Sequence, residues 1–202
     1  VKQALAKAKE VEKQPNPTPA AIQKAASDLN TAVANAKKKE ADAQTAAEQA
    51  VAQAEHNQDP DDVTSANAKV AAVQDPTKKQ AFQDRLNQVT ANVTAARNAL
   101  SALITKAKDP ATTAGMSQET KDAVAAQATQ AEQVAANAGA SVAELNAAKA
   151  ALQAKLDALR PDLSALRTAI ANAEKEPAYI TNDATVKQAL AKAKEVEKQP
   201  NP

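Results

Sequence analysis

The two ends of this 202-residue chain carry the same sequence. Residues 1–17 read VKQALAKAKEVEKQPNP, and residues 186–202 repeat them without a change. The chain therefore spans one full period, residues 1–185, and the start of the next, which is the signature of a tandem array. An engineered duplication would give the same pattern. We favour a natural array, because the chain begins and ends within a module, as a segment of a continuous polymer would.

A second, weaker repeat lies inside this period. One set of eight apolar residues recurs later in the chain at a constant offset and in the same steps of three and four residues. Such steps place side chains on one face of a helix, and the longer gap between two clusters indicates a turn, so each set predicts a helix pair. The two sets are Val1, Leu5, Ala8, Val11, Ile22, Ala25, Leu29 and Val33, and Val124, Ala128, Ala131, Val134, Leu145, Ala148, Leu152 and Leu156.

Another helix precedes the second pair and the repeated C-terminal segment. Its apolar residues also follow matching steps, so each module is predicted to contain three helices. The chain has one Phe, one Tyr and no Trp, and Ala is abundant, which suits narrow helical bundles rather than sheets. No strand is predicted. The residues of the preceding helix are Leu100, Ile104 and Ala107 in one copy and Leu166, Ile170 and Ala173 in the other.

Proline and glycine mark where these helices end. No helix breaker occurs from Pro19 to about Asn57 or from Pro76 to about Lys108, which predicts two helices of about 50 to 60 Å that run between modules. A helix can bend or restart at Arg160-Pro161-Asp162. The fold is therefore predicted to be all-α, with tandem three-helix bundles joined end to end by long shared helices into an elongated rod. Helix starts are predicted at Thr18-Pro19, Asp59-Pro60, Asp75-Pro76 and the capping box Ser141/Glu144.

Three segments carry a family resemblance: residues 163–202, residues 18–36 and residues 100–159, which together cover about two-thirds of the period. Their two apolar helical signatures after a loop resemble the FIVAR module of giant surface proteins of Gram-positive bacteria. The resemblance implies a secreted protein, anchored to the cell wall through regions outside this segment, whose modules form a long fibre.

This resemblance divides the chain into four segments. Residues 1–37 are interpreted as the last two helices of a FIVAR-like module, and residues 38–98 as a divergent three-helix module. Residues 99–160 are interpreted as a complete FIVAR-like module of three helices. Residues 161–202 are interpreted as the first two helices of another, in which residues 186–202 repeat residues 1–17.

The sequence offers little for catalysis, so no enzyme, cofactor or metal is predicted. The 25 basic and 24 acidic residues balance, and no apolar stretch is long enough to span a membrane, so neither nucleic acid nor membrane is an expected partner. Cysteine is absent, and His56, the one histidine, lies at a helix end. Asp59, Asp61 and Asp62 could ligate a hard cation, but they lack EF-hand spacing and are as well explained by a helix N-terminus.

Tyr179 and Met116 are the large side chains of the loops between helices. The family pattern has a tyrosine in this loop, and this chain keeps it as Tyr179 in one copy and has Met116 near the corresponding place in the other. They are candidates for a contact surface, although closing the open end of a bundle is the favoured role. The leading hypothesis is a stalk that projects a distal region from the cell, with neighbouring repeats as partners. The alternative is a multivalent binding module for a host extracellular-matrix protein or a cell-wall glycan. An intracellular helical scaffold is a third possibility.

Overall fold

The computed structural model describes residues 1–199; residues 200–202, which end the second copy of the repeated segment, lie outside the described part. Residues 1–199 form helices and no sheet, so the all-α prediction is confirmed. A short 3₁₀ helix, Pro110–Thr113, lies between the fourth and fifth α-helices. The α-helices are α1 Lys2–Lys13, α2 Pro19–Asn57, α3 Pro60–Ala72, α4 Pro76–Lys108, α5 Gln118–Ala136, α6 Val142–Asp157, α7 Ser164–Lys175, the single turn α8 Ala178–Thr181, and α9 Ala184–Lys198.

Four of these helices begin with the predicted caps. In each, a side-chain oxygen accepts a hydrogen bond from a backbone N–H of the first turn, and in three of them proline follows at a position that needs no donor. At the start of α6, Ser141 accepts from the N–H of Glu144 at 3.3 Å, and Glu144 accepts from the N–H of Ser141 at 2.8 Å. The other caps are Thr18 Oγ1 to Ala21 N at 3.2 Å, Asp59 Oδ1 to Asp61 N at 2.7 Å, and Asp75 Oδ1 to Thr77 N at 2.9 Å.

The two long helices are also confirmed. Helix α2 contains 39 residues and α4 contains 33 residues, with no interruption in either. At a rise of 1.5 Å per residue, α2 is about 58 Å long. Around Pro161 the chain leaves the helical conformation after Asp157 and begins a new helix at Ser164, so the helix restarts there rather than kinking.

The chain divides into two compact units, Val1–Thr94 and Ala95–Pro202. The core of unit 1 lies between the C-terminal half of α2, α3 and the first part of α4. It consists mainly of small and medium-sized apolar side chains, with Phe82 as the one aromatic residue. Helix α1 packs on the N-terminal half of α2 and contains no buried residue. The buried core residues are Ala47, Val51, Ala54, Ala66, Val70, Val73, Phe82 and Leu86.

The core of unit 2 is formed by the end of α4 together with α5 and α6. Most of the apolar positions recognised in the repeat pattern are buried here, as the helical steps predict. Helices α7 and α9 pack on each other, but Ile170 is the only buried side chain on these two helices in the described residues. The buried residues that unit 2 has on the end of α4, on α5 and on α6 are Leu100, Leu103, Ile104, Ala107, Val124, Ala128, Ala131, Leu145, Leu152 and Leu156.

Leu152→Ala should destabilise unit 2 by about 2 to 5 kcal/mol, because Leu152 is fully buried and its small neighbours cannot fill the cavity. Urea unfolding followed by circular dichroism measures this loss. Lys149→Ala on the exposed face of the same helix is the matched control and should change stability by less than about 0.5 kcal/mol. Equal stability of the Leu152→Ala variant and the control would contradict the assignment of the core.

The terminal helix pairs should open more readily than the central ones. Helices α1 and α9 contain no buried residue, whereas α5 and α6 each contain three. Local opening costs least where few apolar contacts must be broken. At low protein concentration, we therefore expect amide hydrogens of α1 and α9 to exchange well before those of α5 and α6, as measured by mass spectrometry. Equal protection in both sets of helices would contradict this prediction.

Candidate functional site

Tyr179 does not close the end of a bundle. It lies on the single-turn helix α8, between α7 and α9, and its side chain is 80% exposed. The favoured prediction for this residue is therefore wrong, because most of the ring is open to solvent in the described part of the chain. An exposed aromatic side chain remains available as a contact residue.

Met116 is in a different environment from Tyr179. It is half-buried and lies opposite Pro161 in an isolated antiparallel bridge, where the N–H of Asp162 donates to the carbonyl of Gly115 at 2.9 Å. Gly115 has φ +72°, a left-handed conformation that glycine adopts without strain. The bridge ties the loop before α5 to the link before α7. Met116 therefore contributes to a structural contact, and the two loop candidates do not form a recurring exposed surface.

The acidic cluster near residue 60 serves to begin α3. Asp59 caps the helix, and Asp62 accepts hydrogen bonds from the side-chain amides of Gln53 at 2.8 Å and Asn57 at 2.6 Å. His56 is exposed in the last turn of α2. Within residues 1–199, no group of three or more His, Cys, Asp or Glu side chains is placed to hold a metal ion. No helix of that same part of the chain has the length and apolar character needed to cross a membrane.

Arg85 connects α4 to α2 through a branched ion-pair network. Its guanidinium donates two hydrogen bonds to Glu55, at 2.9 and 2.8 Å, and a third to Glu48 at 2.8 Å. The bidentate contact with Arg85 lowers the pKa of Glu55, and hydrogen bonds to Glu55 and then Glu48 raise the pKa of Arg85. The guanidinium also lies 5.9 Å from the centre of the Phe82 ring. This network fixes the pairing of the two helices at the edge of the unit 1 core.

Glu40 binds the turn between α3 and α4 to the middle of α2. Its carboxylate accepts the backbone N–H of Gln74 at 2.9 Å and that of Asp75 at 3.0 Å, and it accepts the side-chain amide of Gln44 at 2.9 Å. The hydrogen bond from Gln44, followed by those from Asp75 and Gln74, lowers the pKa of Glu40. One carboxylate thus satisfies two backbone donors that the turn leaves without a helical partner.

Arg97 plays a related part in unit 2. Its guanidinium donates to backbone carbonyls at the C-terminal end of α5, those of Ala135, Asn137 at 2.8 Å and Ala138 at 3.3 Å. These carbonyls have no partners within the helix, and a cation is favoured at the negative end of the helix dipole. Arg97 therefore fixes α4 against the end of α5. Sequence reasoning missed this contact because the partners are main-chain atoms of a helix far along the chain.

Two ion pairs occupy equivalent positions in the repeated helices of unit 2. Lys108 on α4 pairs with Glu132 on α5 at 2.5 Å, and Glu174 on α7 pairs with Lys194 on α9 at 2.5 Å. Lys108 and Glu174 are four positions after Ile104 and its repeat Ile170, so they are equivalent residues. Glu132 and Lys194 are likewise equivalent on the second helix of each pair. The contact is thus kept while its charges are reversed.

An apolar groove lies between α1 and the N-terminal half of α2. Its exposed floor includes Leu5, which is 41% exposed, and Ile22, which is 50% exposed. The equivalent residues of unit 2, Ala128 and Leu145, are completely buried in the core that α5 and α6 share with α4. Lys9 and Glu12 line the same groove. The groove is therefore the surface that a third helix covers in unit 2, and it is open in unit 1.

Acid should weaken the contact that Glu40 makes. A carboxyl group whose folded-state pKa is lowered stabilises the fold above its unfolded pKa, and this contribution is lost as the pH falls through the lower folded pKa. The stability difference between the wild type and Glu40→Gln should therefore shrink as the pH is lowered from neutral to strongly acidic, measured by urea unfolding. Gln44→Ala removes the largest cause of the shift and should reduce this pH dependence in part. A difference that stays constant over this range would contradict the role of the ionised carboxylate.

No protein-family model, no curated protein and no solved structure matches this chain. The FIVAR resemblance therefore stays a prediction that rests on the residue pattern of the three segments 163–202, 18–36 and 100–159.

Proposed function

We propose that this chain is a structural repeat of the rod-like stalk of a large bacterial surface protein, which projects a distal functional region from the cell. The observation that carries the proposal is helix α2. Its N-terminal half packs on α1, and its C-terminal half supplies Ala47, Val51 and Ala54 to the core shared with α3 and α4. One uninterrupted helix of 39 residues thus takes part in two successive helix packs.

A shared helix suits a spacer because it replaces a flexible linker. Each residue added to a continuous helix advances the chain by about 1.5 Å in a fixed direction, whereas a linker of Gly and Ser coils back on itself. Glu40 binds the α3–α4 turn next to the point at which α2 passes from one pack to the other. The contact holds the second pack against the shared helix. Repetition of the whole period would then let length increase with copy number.

Placement on the cell surface is supported by the FIVAR resemblance. Under this proposal, secretion and wall anchoring are provided by regions outside this segment. The 25 basic and 24 acidic residues give the chain a formal net charge of +1, which is compatible with repeats standing close to one another. Neighbouring repeats of the same protein are the partners that a stalk requires.

Binding to a host matrix protein or a cell-wall glycan is the second candidate function. The exposed ring of Tyr179 is the observation that favours it. A surface that binds through avidity needs the same contact residue in successive modules. At the corresponding place in the other FIVAR-like module, Met116 is half-buried and tied into the bridge with Pro161. We therefore rank binding below the stalk.

Small-angle X-ray scattering on chains of one and two complete periods would test the stalk. If shared helices carry the length, the second period should add on the order of 100 Å to the maximum dimension, because each long helix contributes about 50 Å or more. A maximum dimension that barely grows would mean that the modules fold back on one another. Binding would then become the leading function.

Substitution within α2 would show whether this helix carries the length. Lys37 is exposed and lies on α2 between the apolar positions that face α1 and those that face α3. Lys37→Pro should interrupt the helix there and reduce the maximum dimension, because proline removes a hydrogen bond and clashes with the preceding turn. Lys37→Ala is the matched control and should leave the dimension unchanged. Equal scattering curves for the two variants would contradict the role of α2 in setting the length.

A further inference from the structure

The groove between α1 and α2 has the composition of an interior surface, although it is open. Two apolar residues that line it, Leu5 and Ile22, are 41% and 50% exposed. Their equivalents in unit 2 are at most 1% exposed, in a core to which α4 contributes Leu100 and Ile104. Open apolar grooves of this kind bind amphipathic helices through residues spaced three and four apart. The groove is therefore matched to a helix that resembles the last part of α4.

Helix α7 carries the same apolar residues as the last part of α4, namely Leu166, Ile170 and Ala173. It packs on α9, which contains most of the segment 186–202 that is identical in sequence to residues 1–17. The apolar and charged side chains that this segment offers to α7 are therefore also present on α1. Helix α1 adds the neighbouring apolar face of α2, which α9 does not have in the described residues.

The charges of the groove complement those of α7. On α9, Lys194 pairs with Glu174 at 2.5 Å, and Glu197 pairs with Arg167 at 3.1 Å. One period earlier, Lys194 corresponds to Lys9, and Glu197 corresponds to Glu12.

Both Lys9 and Glu12 line the groove, and neither has an ion-pair partner among residues 1–199. A helix α7 in the groove could make both ion pairs again. The same charges disfavour α4 as an occupant, because Lys108 stands where α7 has Glu174 and would face Lys9.

We propose that the α1–α2 groove is a self-association site that binds helix α7 of a second copy of this chain. In the complex, α7 of one copy leaves its contact with α9 and packs on α1 of the other copy, whose sequence is the same as that of residues 187–198 in α9. It also gains a contact with the apolar face of α2. The result is a three-helix pack of the kind that α4, α5 and α6 form in unit 2. In a tandem array, a helix equivalent to α7 in the preceding period would occupy this groove within one chain. The proposal concerns the same contact made between separate chains and does not rest on the stalk function.

This contact joins two different surfaces, a groove on one copy and a helix on the other. An interface of that kind leaves a free groove on one copy and a free α7 on the other, so association can continue beyond two copies. The average mass of the chain in solution should therefore rise with concentration past that of a dimer.

Sedimentation equilibrium of this 202-residue chain over a wide concentration range tests the proposal. The wild type should associate, and Ile22→Lys should abolish association because it places a charge on the apolar floor of the groove. Gln23→Lys adds the same side chain to the adjacent exposed position, outside the groove, and should associate like the wild type. Circular dichroism would verify that all three chains remain helical.

Charge reversal tests which helix is bound. Lys9→Glu should weaken association by about two- to tenfold, because an exposed ion pair is replaced by repulsion between the introduced carboxylate and Glu174. Adding Glu174→Lys and Lys194→Glu reverses α7 together with its own partner on α9, and should restore association. Recovery in the triple variant supports α7 as the occupant. Failure to recover would show that the groove binds something other than α7.

Two further outcomes would overturn the proposal. A wild-type chain that stays monomeric at all concentrations would show that α7 of a second copy does not bind. Association that persists in Ile22→Lys would place the contact at another surface.

Discussion

Thin packing between helices is the constraint on which the rest of this structure depends. The cores consist of Leu, Val, Ile and Ala with Phe82 as the one buried aromatic residue, and among residues 1–199 they include no buried polar side chain. Cores of this kind exclude water along the line of contact between two helices. Their small side chains interdigitate little, so they discriminate poorly between alternative helix pairings. Polar contacts at the edges of the cores make the pairing specific. There, Arg85, Glu40 and Arg97 each form hydrogen bonds with carboxylate or backbone groups of elements that are distant in sequence.

These edge contacts explain why long helices can be shared without losing register. Helix α2 continues from the α1 contact to the core with α3 and α4, and its apolar face alone would allow the second pack to slide by a turn. Glu40 accepts main-chain donors at a single place in the α3–α4 turn, and Arg85 binds Glu55 in a bidentate geometry. Both contacts are directional, so they favour the observed register over one displaced by a turn.

The helices could be predicted from the sequence because their signals are local. Proline at the first turn, a capping side chain before it and apolar steps of three and four residues all act within a few positions, and α2 and α4 have the predicted bounds. The contacts of Arg85, Glu40 and Arg97 could not be predicted in this way, because they depend on which helices become neighbours. The exposure of Tyr179 was missed for a similar reason: a single aromatic residue in a loop does not reveal whether the adjoining helices extend far enough to cover it.

A tandem array has one difficulty that a single domain lacks, since similar helices compete for the same partner. Most apolar residues do not resolve this competition here, because Leu100, Ile104 and Ala107 of α4 recur as Leu166, Ile170 and Ala173 on α7. The reversed ion pairs do distinguish them: α4 pairs Lys108 with Glu132, and α7 pairs Glu174 with Lys194. A helix that moved by one module would bring two lysines or two glutamates together, whereas a move by a full period would restore opposite charges. Exposed pairs contribute little stability, about 1 kcal/mol or less, yet a difference of sign between neighbouring modules needs only to bias the choice of partner.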